Sequence, residues 1–234
     1  MQASIDPSLR QHYTNKTGDY FERPRTEMLE LIPKSCKRIL DVGCAKGAFA
    51  RAVKLAHGAE AWGIEPDQES AKAASNVLDR VLAQPFSPTV DLPSSYFDCI
   101  SFNDVLEHML DPEGSLAYAS RLLTPNGVIV ASIPNVSHFP NLWKLSIRGE
   151  WKYSDHGILD RTHLRFFTRS SIADLFATAG FSLRALHGIN SFCSVFKDEE
   201  RIWKYYRLVR LIGRQSIHDM RYLQFAVVAA KSNA

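Results

Sequence analysis

Asp41-Val42-Gly43-Cys44-Ala45-Lys46-Gly47-Ala48-Phe49 follows directly on the apolar run Arg38-Ile39-Leu40, and a second short run beyond it closes on Glu65. An apolar stretch that stops at a carboxylate, turns through small residues and continues as Ala48-Phe49-Ala50-Arg51-Ala52-Val53 has the form of a strand, a tight turn and a helix. Small residues in such a turn let a ligand approach the backbone, so the stretch reads as a grip for a nucleoside-bearing cofactor.

Outward from this turn the periods alternate. Strands are predicted at Arg38 to Val42, Ala61 to Glu65, Arg80 to Ala83, Phe97 to Phe102 and Val128 to Ile133, separated by helices that begin near Gly47, Asp67 and Pro112. That alternation specifies an α/β fold with a mostly parallel sheet. A further helix is expected from Thr168 to Gly180, a strand from Phe181 to His187, and a last strand from Leu223 that is apolar enough to be buried on both faces. Gly127 and Gly180 are expected at helix-ending turns that need a permissive backbone. Residues 1–33 read as an N-terminal arm and helix, residues 34–234 as the main domain, with an irregular lid insertion at about 134–168.

With 234 residues the chain can bury a full core. A formal net charge of +3 is too small to argue for nucleic acid, and no nucleic-acid motif is present. The four cysteines, Cys36, Cys44, Cys99 and Cys193, are scattered without a CxxC pair, which suits reduced core thiols; no residues are assigned as metal ligands. The first residues lack a basic-then-apolar signal pattern, and the expected location is cytoplasmic.

In open sheets of this kind ligands sit beyond the carboxyl ends of the strands. There the sequence places the Asp41 to Gly47 turn, Glu65, Gln84, Asn103-Asp104 and Pro134-Asn135. A carboxylate such as Glu65 offers only acceptors and suits the two hydroxyls of a ribose. A dinucleotide fingerprint would read G-x-G-x-x-G, whereas that register here holds Gly43, Ala45 and Ala48 after an acid. Asp41 would repel a diphosphate and suits a cation, such as the ammonium and sulfonium of S-adenosylmethionine.

Asp41-Val-Gly-Cys-Ala-Lys-Gly, Gly63-Ile-Glu-Pro-Asp, Phe97-Asp-Cys-Ile-Ser-Phe-Asn-Asp-Val-Leu-Glu-His and Leu122-Leu-Thr-Pro-Asn-Gly resemble the successive motifs of class I S-adenosylmethionine-dependent methyltransferases. Ile133-Pro-Asn-Val-Ser-His and Gly157-Ile-Leu-Asp-Arg-Thr-His-Leu-Arg-Phe-Phe-Thr resemble a subgroup of small bacterial enzymes associated with surface glycans. The resemblance implies a Rossmann-like seven-stranded sheet of order 3-2-1-4-5-7-6, with the last strand antiparallel. It also implies that Asp41 and the turn Gly43, Cys44, Ala45 and Gly47 hold the methionine part, and that Glu65, followed by Pro66, holds the ribose. Asn103 and Asp104 would meet the cofactor after the fourth strand. Gln84 stands where an acid usually meets the adenine amino group, and Ala45 replaces the usual middle glycine. Tyr13 and Tyr20 would fold over the cofactor, or pack as ordinary aromatics.

Methyl transfer to a hydroxyl also requires a destination for its proton, and histidine is the natural general base. His163 is the first choice, with His156 and His108 as competitors; Asp155 or Asp160 would orient the imidazole. The competing reading makes Asp160, Arg161, His163 and Arg165 a brace that anchors the lid. Asp155, Arg161 and Arg165 are also candidates for substrate binding, since paired guanidinium groups recognise the phosphates of a nucleotide-linked or lipid-linked sugar. Leu142, Trp143, Leu145 and Trp151 mark a lid or homodimer contact. Residues 198–214 set Ile202, Trp203, Tyr206, Val209 and Ile212 at helical spacing against a basic face, which suits an anionic membrane surface or packing on the domain or another subunit.

The expectation is therefore a methyltransferase that uses S-adenosylmethionine on a hydroxyl of a sugar or glycan intermediate, cytoplasmic or peripheral at the inner membrane face. A quinone-like phenol is the alternative small-molecule acceptor. A non-catalytic cofactor-binding protein and a nicotinamide-dependent oxidoreductase are the other classes in competition.

Overall fold

The computed structural model describes residues 25–191, 205–207, 211 and 214–232. Its strands are β1 (Arg38–Val42), β2 (Glu60–Ile64), β3 (Arg80–Leu82), β4 (Phe97–Asn103), β5 (Leu123–Pro134), β6 (Phe181–Ser191) and β7 (Tyr222–Lys231). They form one seven-stranded sheet in the order β3-β2-β1-β4-β5-β7-β6. Strands β1 to β5 pair in parallel, and β7 runs antiparallel to both β5 and β6, as the motif resemblance implies.

Both faces are covered, which is why the central strands are apolar at nearly every position. On one face Ile39 of β1 and Cys99 of β4 pack with Met28 of α1 (Thr26–Leu29) and with Phe49 and Val53 of α2 (Ala48–His57). α3 (Gln68–Ala74) adds Ala74 to the same cluster. On the other face Leu40, Ile100 and Phe102 pack against Leu116 of α4 (Pro112–Leu122). Ile32 and Cys36 also join the first cluster.

Helix starts follow from local chemistry. Asp67 caps α3 by accepting the Ser70 amide at 2.8 Å, and Asp111 caps α4 by accepting the Gly114 amide at 2.8 Å, with Pro112 in the first turn. After α5 (Phe139–Arg148), Thr168 and Ser171 form a reciprocal capping box at the head of α6 (Arg169–Thr178). Gly180 ends that helix with φ 81 as expected. Gly127 differs from expectation. It lies inside β5, which begins at Leu123, five residues ahead of the predicted Val128, and glycine is needed for close approach: an added Cβ would stand 3.0 Å from the Phe97 carbonyl oxygen and 2.9 Å from Leu123 Cδ2.

Most of the 198–214 segment lies outside the described residues, as do Tyr13, Tyr20 and Cys193. Within it, Tyr206 is buried against Phe139 and Ile217, and Tyr205 stacks on Trp143 with ring centroids 4.6 Å apart. These aromatics cover α5 and α7 (Gln215–Asp219). Among the described residues no helix is long and apolar enough to cross a membrane.

Candidate active site

The turn after β1 is built by backbone geometry. Gly43, with φ 69, and Cys44 both donate their amides to the Ile64 carbonyl, at 2.8 and 3.1 Å, which folds the turn over the end of β2. A Cβ on Gly43 would meet Val105 Cγ2 at 2.7 Å, so the residue type is set by the close approach of the segment after β4 as well as by φ. Gly47, at φ 84, is the N-cap of α2. Ala45 also lies in the left-handed region, at φ 46. Replacement of glycine there acts through backbone strain, not through the bulk of a methyl group.

Cys44 turns its thiol inward. A Cβ on Gly63 would sit 2.5 Å from Cys44 Sγ, so the cysteine occupies the space that this strand glycine leaves. Burial raises the thiol pKa far above its ordinary value, so Cys44 offers no thiolate to a ligand. Cys36 and Cys99 are likewise buried and free, as expected of core thiols.

Two carboxylates flank the turn. Asp41 is 3% exposed, and its Oδ1 accepts the Ser101 hydroxyl at 2.7 Å across the β1–β4 pair. Burial pushes its carboxyl up to about 7, with the Ser101 hydrogen bond opposing and the Glu65 charge adding. Glu65 accepts the Ala45 amide at Oε2 and the Asp67 amide at Oε1, both at 2.9 Å, and burial raises its pKa too. Glu65 thus clamps the turn to the start of α3, and a nearby cation would favour the ionised form of both acids.

At the end of β4 the Asn103 side chain has both its amide nitrogen and its oxygen buried without a hydrogen-bond partner among the described residues. A buried amide in that state is costly unless a ligand completes it. Asp104, at φ 56, enters a different network. It takes the guanidinium of Arg25, the Ser132 hydroxyl at 3.0 Å and the Gln224 amide at 2.6 Å, joining the chain before α1 to β5 and β7. Gln84 and Pro66 are exposed at the tips after β3 and β2. Asn135 is fully buried and spent on structure, with its amide bonded to the Asp219 and Tyr222 carbonyls.

Of the three histidines, two converge. His108 lies in a short 3-10 turn after β4, and its ring meets that of His163 edge to face with centroids 4.7 Å apart. The segment that carries His163 is tied to this turn by the amides of Leu164 and Arg165, which both donate to the Glu107 carbonyl. His163 Nδ1 stands 2.9 Å from the Ile158 carbonyl oxygen, and His108 Nδ1 stands 2.9 Å from that of Thr162. A carbonyl can only accept, so each Nδ1 carries a proton. His156 is exposed on the preceding turn, where its carbonyl accepts the Ser154 hydroxyl.

Asp160 accepts both the amide and the hydroxyl of Thr162 and stiffens the loop beneath His163. Asp155 pairs with Arg161 at 3.3 Å on the surface, and Arg165 donates to the Leu110 carbonyl at 2.8 Å. The two arginines therefore hold separate partners instead of forming one fork. Three contributors went unassigned in the sequence: Ser101, Val105 and Glu107. Glu107 stands inside the Leu106-Glu107-His108 run, but periodicity gives no sign that an acid after a strand will be 1% exposed.

A parallel sheet with β7 reversed, a left-handed glycine turn after β1 and an acid closing β2 together define the fold class of the S-adenosylmethionine-dependent methyltransferases. The methyltransferase-domain family matches residues 12–186, and the chain belongs to that family. The ubiquinone biosynthesis O-methyltransferase of Psychrobacter arcticus is 28% identical over 165 residues, which make up 66% of this chain and 62% of that protein. The chain thus spans less than two thirds of that relative's length. A S-adenosylmethionine-dependent methyltransferase from Archaeoglobus fulgidus superposes with a TM-score of 0.63 at 18% identity, covering 97% of this chain and all of that one. The 1,6-didemethyltoxoflavin N1-methyltransferase of Burkholderia thailandensis, solved with bound 1,6-didemethyltoxoflavin and S-adenosylhomocysteine, gives 0.59 at 17% identity and covers 97% of this chain and 83% of that one.

The residues present fit S-adenosylmethionine. The two buried acids, both favoured in their ionised form by positive charge, and the unpartnered amide of Asn103 supply acceptors and a donor beside the turn.

Proposed function

We propose that the protein transfers the methyl group of S-adenosylmethionine to a hydroxyl of a small, flat, phenol- or quinol-like acceptor. The observation that carries the choice of acceptor is the aromatic group beside His163. Phe166 packs edge to face on Trp151 at 5.3 Å between centroids, and Tyr153 and His163 each lie 6.4 Å from the same ring. Such rings favour a flat apolar molecule over a hydrated sugar. The names of the ubiquinone-pathway relatives favour the same acceptor over the glycan hydroxyl expected from the subgroup motifs, and the separate partners of Arg161 and Arg165 weaken the case for a diphosphate fork.

When bound, S-adenosylmethionine supplies a methyl group on a sulfonium that departs as a neutral thioether. Asp41 and Glu65 make the turn favourable to positive charge, and the Asn103 amide offers one donor and one acceptor to the amino-acid part. Glu65 retains lone pairs for ribose hydroxyls beyond those given to the Ala45 and Asp67 amides. The aromatic wall of Trp151, Tyr153 and Phe166 positions the acceptor and limits water, and positioning accounts for much of the rate of an in-line displacement. The cluster of Glu107, His108 and His163 governs the acceptor's proton.

Calorimetry with S-adenosylmethionine and S-adenosylhomocysteine, followed by assay with methyl-labelled cofactor against catechols, demethylated quinols and nucleotide-linked sugars, tests the proposal. Binding of both nucleosides and label on the phenolic acceptors are expected. Label confined to sugars would overturn the acceptor assignment, and failure to bind either nucleoside would overturn the activity.

A further inference from the structure

Glu107, His108 and His163 each present one ligand atom, and these atoms all lie within 4.8 Å of one another. Glu107 is 1% exposed, and its Oε1 is 4.0 Å from His163 Nε2. Both Nδ1–H groups are held by carbonyls of the lid, and a carboxylate and two imidazole rings are thereby gathered in one place. We propose that these three residues hold a divalent first-row metal ion, zinc foremost.

The donor set fits. Two imidazoles and one carboxylate leave a fourth position open, the composition of catalytic zinc sites. Zinc ligands at about 2.0–2.1 Å stand roughly 3.3 Å apart in a tetrahedron, so side-chain rotations of about an ångström close the present separations. The outer contacts are those that metal-bound histidines use: Nδ1–H donated to a backbone carbonyl fixes the tautomer and aims Nε2 at the ion. The ligands also come from two elements that already bind each other, because the Leu164 and Arg165 amides rest on the Glu107 carbonyl.

Two of the three residues follow the end of β4 at Asn103 by only a few positions, and use of the site in catalysis rests on the methyl-transfer reading above, whereas metal binding itself does not. A bound ion would acidify an acceptor hydroxyl in the open position, whose proton would pass to water. The oxygen would then bond to the methyl carbon as the carbon–sulfur bond breaks and its electron pair passes to sulfur.

The test uses the untagged full chain, stripped with chelator and titrated with Zn2+ in competition with a chromophoric chelator. One ion per chain is expected, with affinity reduced at least tenfold in Glu107→Gln, His108→Ala and His163→Ala, each checked for folding by circular dichroism. Nitrogen NMR of the unsubstituted chain guards against variants that do not fold: Zn2+ should shift Nε2 of two histidines while their Nδ1 protons remain. Absence of stoichiometric binding, or binding that the variants and the histidine signals do not register, overturns the proposal. S-adenosylhomocysteine is titrated in parallel. Retained nucleoside binding without metal binding removes the metal site alone, and loss of both removes the methyltransferase reading with it.

Discussion

The Ser101 hydroxyl donates to Asp41 Oδ1 at 2.7 Å, from the neighbouring strand and in direct register with it. This contact holds the carboxyl toward the turn at the end of β1, while burial still pushes its pKa up to about 7. In the ligand-free protein the folded state therefore keeps a proton that the unfolded chain releases near its ordinary value of 3.8. The Asp41 contribution to stability is present at low pH and is lost as pH rises through about 7. A cationic ligand reverses the preference, since it requires the ionised form. Affinity for S-adenosylmethionine should rise with pH up to about 7 and then level off. Calorimetry in buffers of different ionisation heat should detect proton release on binding below that pH, and Asp41→Asn should reduce the release and weaken binding.

Ala45 should respond in the opposite sense to an ordinary alanine-to-glycine change. At φ 46 the side chain clashes with its own backbone, at a cost of roughly 1–2 kcal/mol, against about 0.5–1 kcal/mol of extra chain entropy that glycine loses on folding. Ala45→Gly should raise stability by about 0.5–1 kcal/mol in urea denaturation, and should leave nucleoside affinity equal or higher. A loss of stability would show that the turn does not hold Ala45 in the left-handed region.

That position also shows what could and could not be read along the chain. The strand–turn–helix unit was legible because apolar period depends on near neighbours, whereas the reversal of β7 and the order of the sheet followed from the motif resemblance and not from periodicity. The departure of Ala45 from glycine was visible as well, but its meaning was not, since φ depends on the Glu65 carboxylate that takes the Ala45 amide from the next strand. His163 was legible as a candidate base in a polar cluster on the lid. Its pairing with His108 and Glu107 was not, because it is created by the lid folding back onto the turn after β4 through amide contacts that leave no pattern in sequence. Gly127 was assigned the wrong reason: a glycine chosen for close approach to Phe97 looks the same in sequence as one chosen for φ.

Asn103 separates ligand binding from stability. Its buried amide has no partner among the described residues, so removing it should relieve a desolvation cost of about 1 kcal/mol in the free protein. Asn103→Leu, of similar size, should unfold at equal or higher urea concentration than the parent. The same variant should bind S-adenosylhomocysteine about tenfold more weakly, from loss of about 1.4 kcal/mol of hydrogen bonding to the ligand. Unchanged nucleoside affinity would remove Asn103 from the cofactor site.

Away from the turn, Arg169 and Asp219 should decide whether the lid side of the sheet stays assembled. The guanidinium at the head of α6 donates Nε to Oδ2 at 2.6 Å and Nη2 to Oδ1 at 2.9 Å, and it lies over the Phe225 ring of β7 at 4.9 Å. The Asp219 side chain is 5% exposed and that of Arg169 28%, so removing the carboxylate leaves a largely buried cation without its bidentate partner. Asp219→Ala should cost about 3 kcal/mol. Part of that loss should be local, because the Asp219 carbonyl also receives the Asn135 amide that fixes the chain where it leaves β5 for α5. Hydrogen exchange should show faster opening at Phe139 and Asn141 than at Ile39 or Ile100 in the core of the sheet. Uniform acceleration at all four would instead mean that the pair supports only the global fold.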